Sequence, residues 1–143
     1  MRSPVDGEGI LRLVREQVAL GPRVPGSDAH AELGRRLRAA LEEASAEVTV
    51  QEFSLPFRGR TLECRNIVGV FRARRAGLGP LLLGSHYDCR FRADREKDPS
   101  RRESPIPGAN DGGSGTAVLL QLPLSAATRF AGVPQLETSA RRR

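Results

Sequence analysis

The 143-residue sequence predicts an α/β fold, with helices packed against a sheet. Three observations carry this. Two early segments repeat apolar residues at helical spacing. Three later segments read as strands, the first alternating, the second β-branched, the third a short apolar run. A Gly-rich stretch then leads directly into a further helix.

The elements follow in order. Asp6 is placed to cap a first helix, on which Ile10, Leu11, Val14 and Val18 form one face. "LGPRVPGSDAH" breaks it with two prolines and two glycines. Ser27 or Asp28 caps a second helix, striped by Leu33, Leu37 and Leu41, and His30 reads as a surface residue near its start. Val48 and Val50 alternate with Thr49 and Gln51, as in a half-buried strand. "CRNIVGVFR" (Cys64 to Arg72) is a second strand, and "GLGP" (Gly77 to Pro80) punctuates. "LLLGSHYD" starts as an apolar run, which suits a strand buried on both faces, and ends in His86 and Asp88. After Ser114, a candidate N-cap, "GTAVLLQL" starts a helix. The remaining 21 residues, 123–143, show no clear period and read as an irregular tail, so residues 1–122 form the folded unit.

Composition removes several classes of function. Hydrophobic residues make up 38% and aromatics 4%, so the core rests on Leu, Val and Ala. No apolar run approaches the ~18 residues of a membrane span, and no membrane association is expected. The first residues, "MRSPVDGEGILRLVREQVAL", are interrupted by charge and lack the apolar centre of a signal peptide. The chain as written is expected in the cytoplasm, or in a secreted or periplasmic location if the true start lies upstream. Net charge is +6, but the loop from Arg90 to Glu103 mixes six basic with four acidic residues around the single aromatic Phe91. That is a solvated loop rather than a nucleic-acid surface. Cys64 and Cys89 fit no CxxC metal pattern; they are buried thiols or a disulfide pair, which spacing does not decide.

Candidate chemistry gathers at two places. His86 and Asp88 stand at i and i+2, and on a strand they share a side. Asp88 can then orient the imidazole, as carboxylates beside metal-binding histidines do. Asp111 lies in "IPGANDGGSG", among four glycines. Small neighbours let backbone approach a ligand, and a carboxylate there can hold one zinc or bridge two metals. Taken singly, the first is a polar strand end and the second a Gly-rich turn.

Taken together, "GSHYDCRFRAD…SPIPGANDGGSGTAVLLQL" resembles the M28 family of zinc peptidases, and within it the glutaminyl-peptide cyclotransferase (glutaminyl cyclase) branch of bacteria. "GPRVPGSDAH", "VTVQEF" and "RNIVGVF" fall in the family's order, so the resemblance covers roughly Val14 to Leu122. It implies the N-terminal half of a zinc-exopeptidase-like fold, a mixed, mostly parallel sheet flanked by helices. It implies zinc, one ion if cyclase-like and two if aminopeptidase-like. Asp111 matches the metal-binding aspartate, His86 a zinc ligand of the two-metal peptidases (in single-metal cyclases the same histidine lies near the site without binding), and Asp88 the acid behind the ligands; Gly108, Asn110, Gly112 and Gly113 form the supporting loop. The implied substrates are peptide or protein N-termini. A cyclase would convert N-terminal Gln to pyroglutamate; an aminopeptidase would hydrolyse the first peptide bond.

The departure from the family is one of length. The Glu-Glu pair, a further acid and a final histidine that the family places after the Gly-rich motif do not appear; the last 21 residues hold one acid, Glu137, and no histidine. The general base and two ligands are therefore missing, and no catalytic residue is assigned. An inactive fragment or a basic interaction module is the remaining reading. We expect a truncation or frameshift near Leu122. Translation of the downstream DNA in the other two frames is expected to reveal the E-E, D and H segments; their absence would defeat the idea.

Overall fold

The computed structural model describes residues 6–44, 46–71, 79 and 81–130. Helix α1 (Gly7–Ala19) starts where expected, with the Asp6 carboxylate accepting from Gly9 N–H at 3.0 Å. Ile10, Val14 and Val18 of its expected face are half-buried, but the face is turned toward Gly9, Leu13 and Gln17 and leaves Leu11 outside. Gly9 and Gln17 are buried and Leu13 packs on the core, while Leu11 is 48% exposed. The reason is polar. The Gln17 amide donates to Leu13 O and to Gly113 O, both at 3.1 Å, so the helix turns to bring it there. A buried amide is tolerated when it is hydrogen-bonded in this way.

Helix α2 (Asp28–Glu43) is capped by Ser27, whose Oγ accepts from His30 N–H at 3.2 Å. Leu33 and Leu37 are buried, as their stripe predicts, and Leu41 packs on Gly69. His30 corrects the sequence reading. It is 6% exposed and stacks on the Tyr87 ring, with centroids 4.6 Å apart. Its position in the first turn faces the 85–89 segment rather than solvent.

Strands β1 (Glu47–Phe57) and β2 (Arg60–Val70) form an antiparallel hairpin. Arg58 and Gly59 take φ of 48° and 77°, the left-handed pair that a two-residue hairpin turn requires. Sequence reading began the second strand only at Cys64. Val48 and Val50 face inward against Gly69 and Ile67, beneath α2. Of "GLGP", Gly77, Leu78 and Pro80 lie outside the described residues, as does Arg72 at the end of the β2 reading.

The described sheet is this antiparallel pair, and a mostly parallel arrangement is not seen among the described residues. Residues 81–90 pair with no described strand. Leu81, Leu82 and Leu83 are 83%, 89% and 54% exposed, against the expectation of a strand buried on both faces. An extended segment becomes a strand only when neighbours take up its N–H and C=O groups. No described strand does so here.

Helix α3 (Gly115–Phe130) follows the Gly-rich turn. Ser114 does not cap it: its hydroxyl donates to Asn110 O at 2.8 Å. The helix runs on to Phe130, past Leu122, where no element was expected; residues 131–143 lie outside the described residues. The core joins Leu33, Leu37 and Leu120, with Leu13, Leu20, Ala40, Ile67 and Tyr87 around them. Among the described residues, no helix is long and apolar enough to cross a membrane.

Burial lowers the His30 pKa below its ordinary 6.5; Asp88 opposes this and Arg65 adds to it. The unfolded chain therefore takes up the proton more readily than the folded one. The stabilising contribution is present above pH 6.5 and is lost as pH falls below it. Thermal melts at about pH 7.5 and about pH 5.5 are expected to show a lower midpoint at acid pH. His30→Phe, which keeps a ring against Tyr87, is expected to reduce that difference; an unchanged pH dependence would count against the assignment.

Candidate metal centre

Three stretches meet at one end of α1 and α3: the loop around Arg23, residues 85–89, and the turn from Pro107 to Ser114. Local backbone chemistry fixes each. The His86 carbonyl accepts from Thr116 Oγ1 at 3.0 Å, which ties it to the first turn of α3. Ser85 Oγ donates to the same carbonyl at 3.1 Å. Cys89 N–H donates to Arg23 O at 3.0 Å, which joins this segment to the α1–α2 loop.

The Gly-rich turn passes directly under the imidazole. Gly112 has φ +84°, and a Cβ there would collide with Asp88 O and lie 3.3 Å from the His86 ring. Gly108, φ +65°, has equally little room: a Cβ would lie 2.7 Å from that of Cys89. Only glycine meets both the conformation and the space at these two positions. Asp111 itself is extended, φ −81° and ψ 102°, and this break in the helical path swings its side chain toward His86.

The result places all three candidate side chains together. His86 Nδ1 lies 3.2 Å from Asp88 Oδ1, and His86 Nε2 lies 3.2 Å from Asp111 Oδ1. The ring is thus held between two carboxylates. Arg90 Nε stands 3.8 Å from Asp111 Oδ2 and pairs more closely with Asp94, at 2.7 Å. The side chains of His86, Asp88 and Asp111 are 55%, 41% and 44% exposed, so these pairs add little stability.

Their chemical meaning is more specific. With Nδ1–H given to Asp88, the Nε2 lone pair faces a carboxylate oxygen. Two such donors repel unless a proton or a cation lies between them. Ligands about 2.0–2.2 Å from a tetrahedral zinc stand roughly 3.3 Å apart, close to the separation found. A proton on Nε2 or a shared cation each satisfies this separation. Among the described residues, no group of three or more His, Cys, Asp or Glu side chains converges as a metal cage.

The supporting loop behaves unevenly. Gly108, Gly112 and Gly113 are buried, while Asn110 is exposed and its side chain accepts from Ser114 Oγ at 3.4 Å rather than facing His86. Cys64 and Cys89 are free thiols. Burial pushes the Cys89 thiol up, with Arg23 and its backbone pulling the other way, so it is poorly suited to act as a nucleophile. Beside Arg90 opens a hollow of about 380 Å³ lined by Arg90, Ala93, Arg95, Glu96, Lys97 and Ile106.

Arg23 is the residue sequence reading passed over. It is fully buried, and its guanidinium donates to Gly108 O at 2.7 Å and Pro107 O at 2.9 Å. An arginine set among Gly and Pro in "GPRVPGS" was the only signal. That stretch reads first as a helix breaker.

Comparison with known proteins finds a family and several solved structures. Residues 66–135 match the family described as Peptidase family M28. The structure is similar to that of a Zn-dependent exopeptidase from Parabacteroides distasonis, with TM-score 0.81 and 36% identity over 90% of this chain and 44% of that one. It is similar to Tannerella forsythia glutaminyl cyclase, with TM-score 0.80 and 35% identity over 87% of this chain and 43% of the other. It is also similar to a leucine aminopeptidase precursor from Bacteroides thetaiotaomicron, with TM-score 0.79 and 33% identity over 92% and 44%. The chain therefore spans less than half the length of these structures. Comparison with curated proteins finds no match. The resemblance to the superfamily of M28 zinc peptidases and glutaminyl cyclases is shown by sequence and by fold alike.

Gly112→Ala is expected to destabilise the chain by about 1–3 kcal/mol, through the strained φ and the collision beneath His86. Chemical denaturation checks this. A variant as stable as the parent would mean that the turn does not need glycine there.

Proposed function

We propose that this chain carries part of the active site of a zinc-dependent enzyme of the glutaminyl-peptide cyclotransferase type. The observation that supports this is the His86 ring held between Asp88 and Asp111. Asp111 through Oδ1 would hold the metal in either arrangement, and His86 through Nε2 would add a second donor in the two-metal one. When bound, zinc supplies a Lewis acid that polarises the side-chain amide of an N-terminal Gln.

The chain's own residues prepare this. Asp88 would accept from Nδ1–H, which leaves the Nε2 lone pair free and the ring fixed in orientation. Arg90, paired with Asp94, also stands 3.8 Å from the second oxygen of Asp111. The exposure of the three side chains leaves the site open to the N-terminus of a peptide or protein. The mostly parallel sheet that goes with this reading would place residues 81–88 between strands other than the described hairpin.

A second reading is a metallo-aminopeptidase, favoured by the similarity to a leucine aminopeptidase precursor. One zinc and pyroglutamate belong to the first reading; two zincs and released amino acids belong to the second.

Calorimetric titration with zinc is expected to show weak binding by this chain, since two donors fall short of the three or four that tight sites use. Asp111→Asn, His86→Ala and Asp88→Asn are each expected to weaken it by about tenfold, leaving a residual affinity that the titration still reads. Turnover of a Gln-peptide by the chain alone is expected to be slight. Zinc binding that survives Asp111→Asn unchanged would overturn the assignment.

A further inference from the structure

Beneath the Gly-rich turn lies a polar assembly that neither the metal donors nor the substrate reading uses. Arg23 is fully buried and its described partners are all backbone carbonyls. Nη1 donates to Pro107 O at 2.9 Å, to Gln17 O at 3.1 Å and to Gly21 O at 3.4 Å; Nη2 donates to Gly108 O at 2.7 Å. Two of these acceptors end α1 and two open the Gly-rich turn, 84 and 85 residues away. From the same helix, Gln17 Nε2 donates to Gly113 O at 3.1 Å.

The geometry points to a clamp. Arg23 grips the turn before Asp111 and Gln17 grips it after Asp111. Between the two grips the turn closes on itself, because Gly113 N–H donates to Gly108 O at 3.1 Å. That carbonyl therefore takes one hydrogen bond from Arg23 and one from the far side of the turn. Its direction is set by both. The left-handed Gly108 and Gly112 flank Asp111 within this closed ring. The backbone that carries Asp111 is thereby tied on both sides, which sets where its side chain starts from.

We propose that Arg23, backed by Gln17, is a positioning residue that fixes the Asp111 carboxylate against His86. The role requires arginine. A planar fork with five N–H donors can serve carbonyls from two segments at once, whereas a lysine ammonium is a point donor on a flexible stem. The functional half of this inference rests on the zinc reading above; the structural half does not.

The test uses the purified chain with Arg23→Lys, Asp111→Asn, the double variant and Gln17→Leu. Amide hydrogen exchange at Gly113 reads the clamp, and calorimetric zinc affinity reads Asp111. Arg23→Lys with retained helical circular dichroism is expected to speed exchange at Gly113 by about tenfold or more. It is also expected to weaken zinc binding, and to add no further loss once Asp111→Asn is present. A merely structural role would not produce that non-additivity. If Arg23→Lys fails to fold, Gln17→Leu carries the same two measurements. Unchanged Gly113 exchange in a folded variant overturns the clamp. Equal losses with and without Asp111→Asn overturn the positioning role. If the parent and Asp111→Asn bind zinc alike, the zinc reading fails, and exchange at Gly113 still decides for or against the clamp.

Discussion

A buried guanidinium surrounded by backbone carbonyls is the interaction on which the site depends. Arg23 lies where the end of α1, residues 85–89 and the Gly-rich turn meet. Its cation is removed from water, which is costly unless every donor finds an acceptor. Four carbonyls receive its terminal N–H groups, and charge-assisted hydrogen bonds of this kind are stronger than neutral ones. The compensation is incomplete. Arg23 Nε and Gln17 Oε1 find no partner among the described residues.

The three donor side chains illustrate how such a support is divided. Thr116 and Ser85 hold the His86 carbonyl, Asp88 holds its ring, and glycine beneath the ring leaves space for it. None of these contacts is strong, and the ion pairs are half exposed. Precision comes from the number of independent ties on the backbone. The exposed charges remain free to exchange partners with a cation. Rigid backbone and accessible side chains are the combination a binding site needs.

Much of the site was legible in the chain itself. His86 and Asp88 share a side through strand-like spacing, and the Gly-rich motif marked Asp111 as a presented carboxylate. That the two would face each other at 3.2 Å was carried by resemblance, not by spacing. Other features resisted reading for stated reasons. His30 looks like a surface residue because a polar residue in a first helical turn usually is one; here it meets the Tyr87 ring. Leu11 reads as part of the inward face of α1 and is exposed instead, because the face turns toward Gln17, which has a carbonyl to serve. The apolar run at Leu81 to Leu83 reads as a central strand, yet burial depends on partners that its own sequence does not contain.

The sequence by itself determined the local features: the Asp6 and Ser27 caps, the Leu33, Leu37 and Leu41 stripe, the alternation at Val48 and Val50, and the family to which the motifs point. Each depends on neighbours within a few residues, where backbone geometry fixes what a side chain can reach. Only the tertiary structure decided that Arg23 lies under the Gly-rich turn, that Gln17 rather than Leu11 faces inward, and that Arg58 and Gly59 close a long hairpin. The first two join groups more than 80 residues apart. Such contacts follow from which buried polar groups must find partners once the core has formed, and no periodicity along the chain records that requirement.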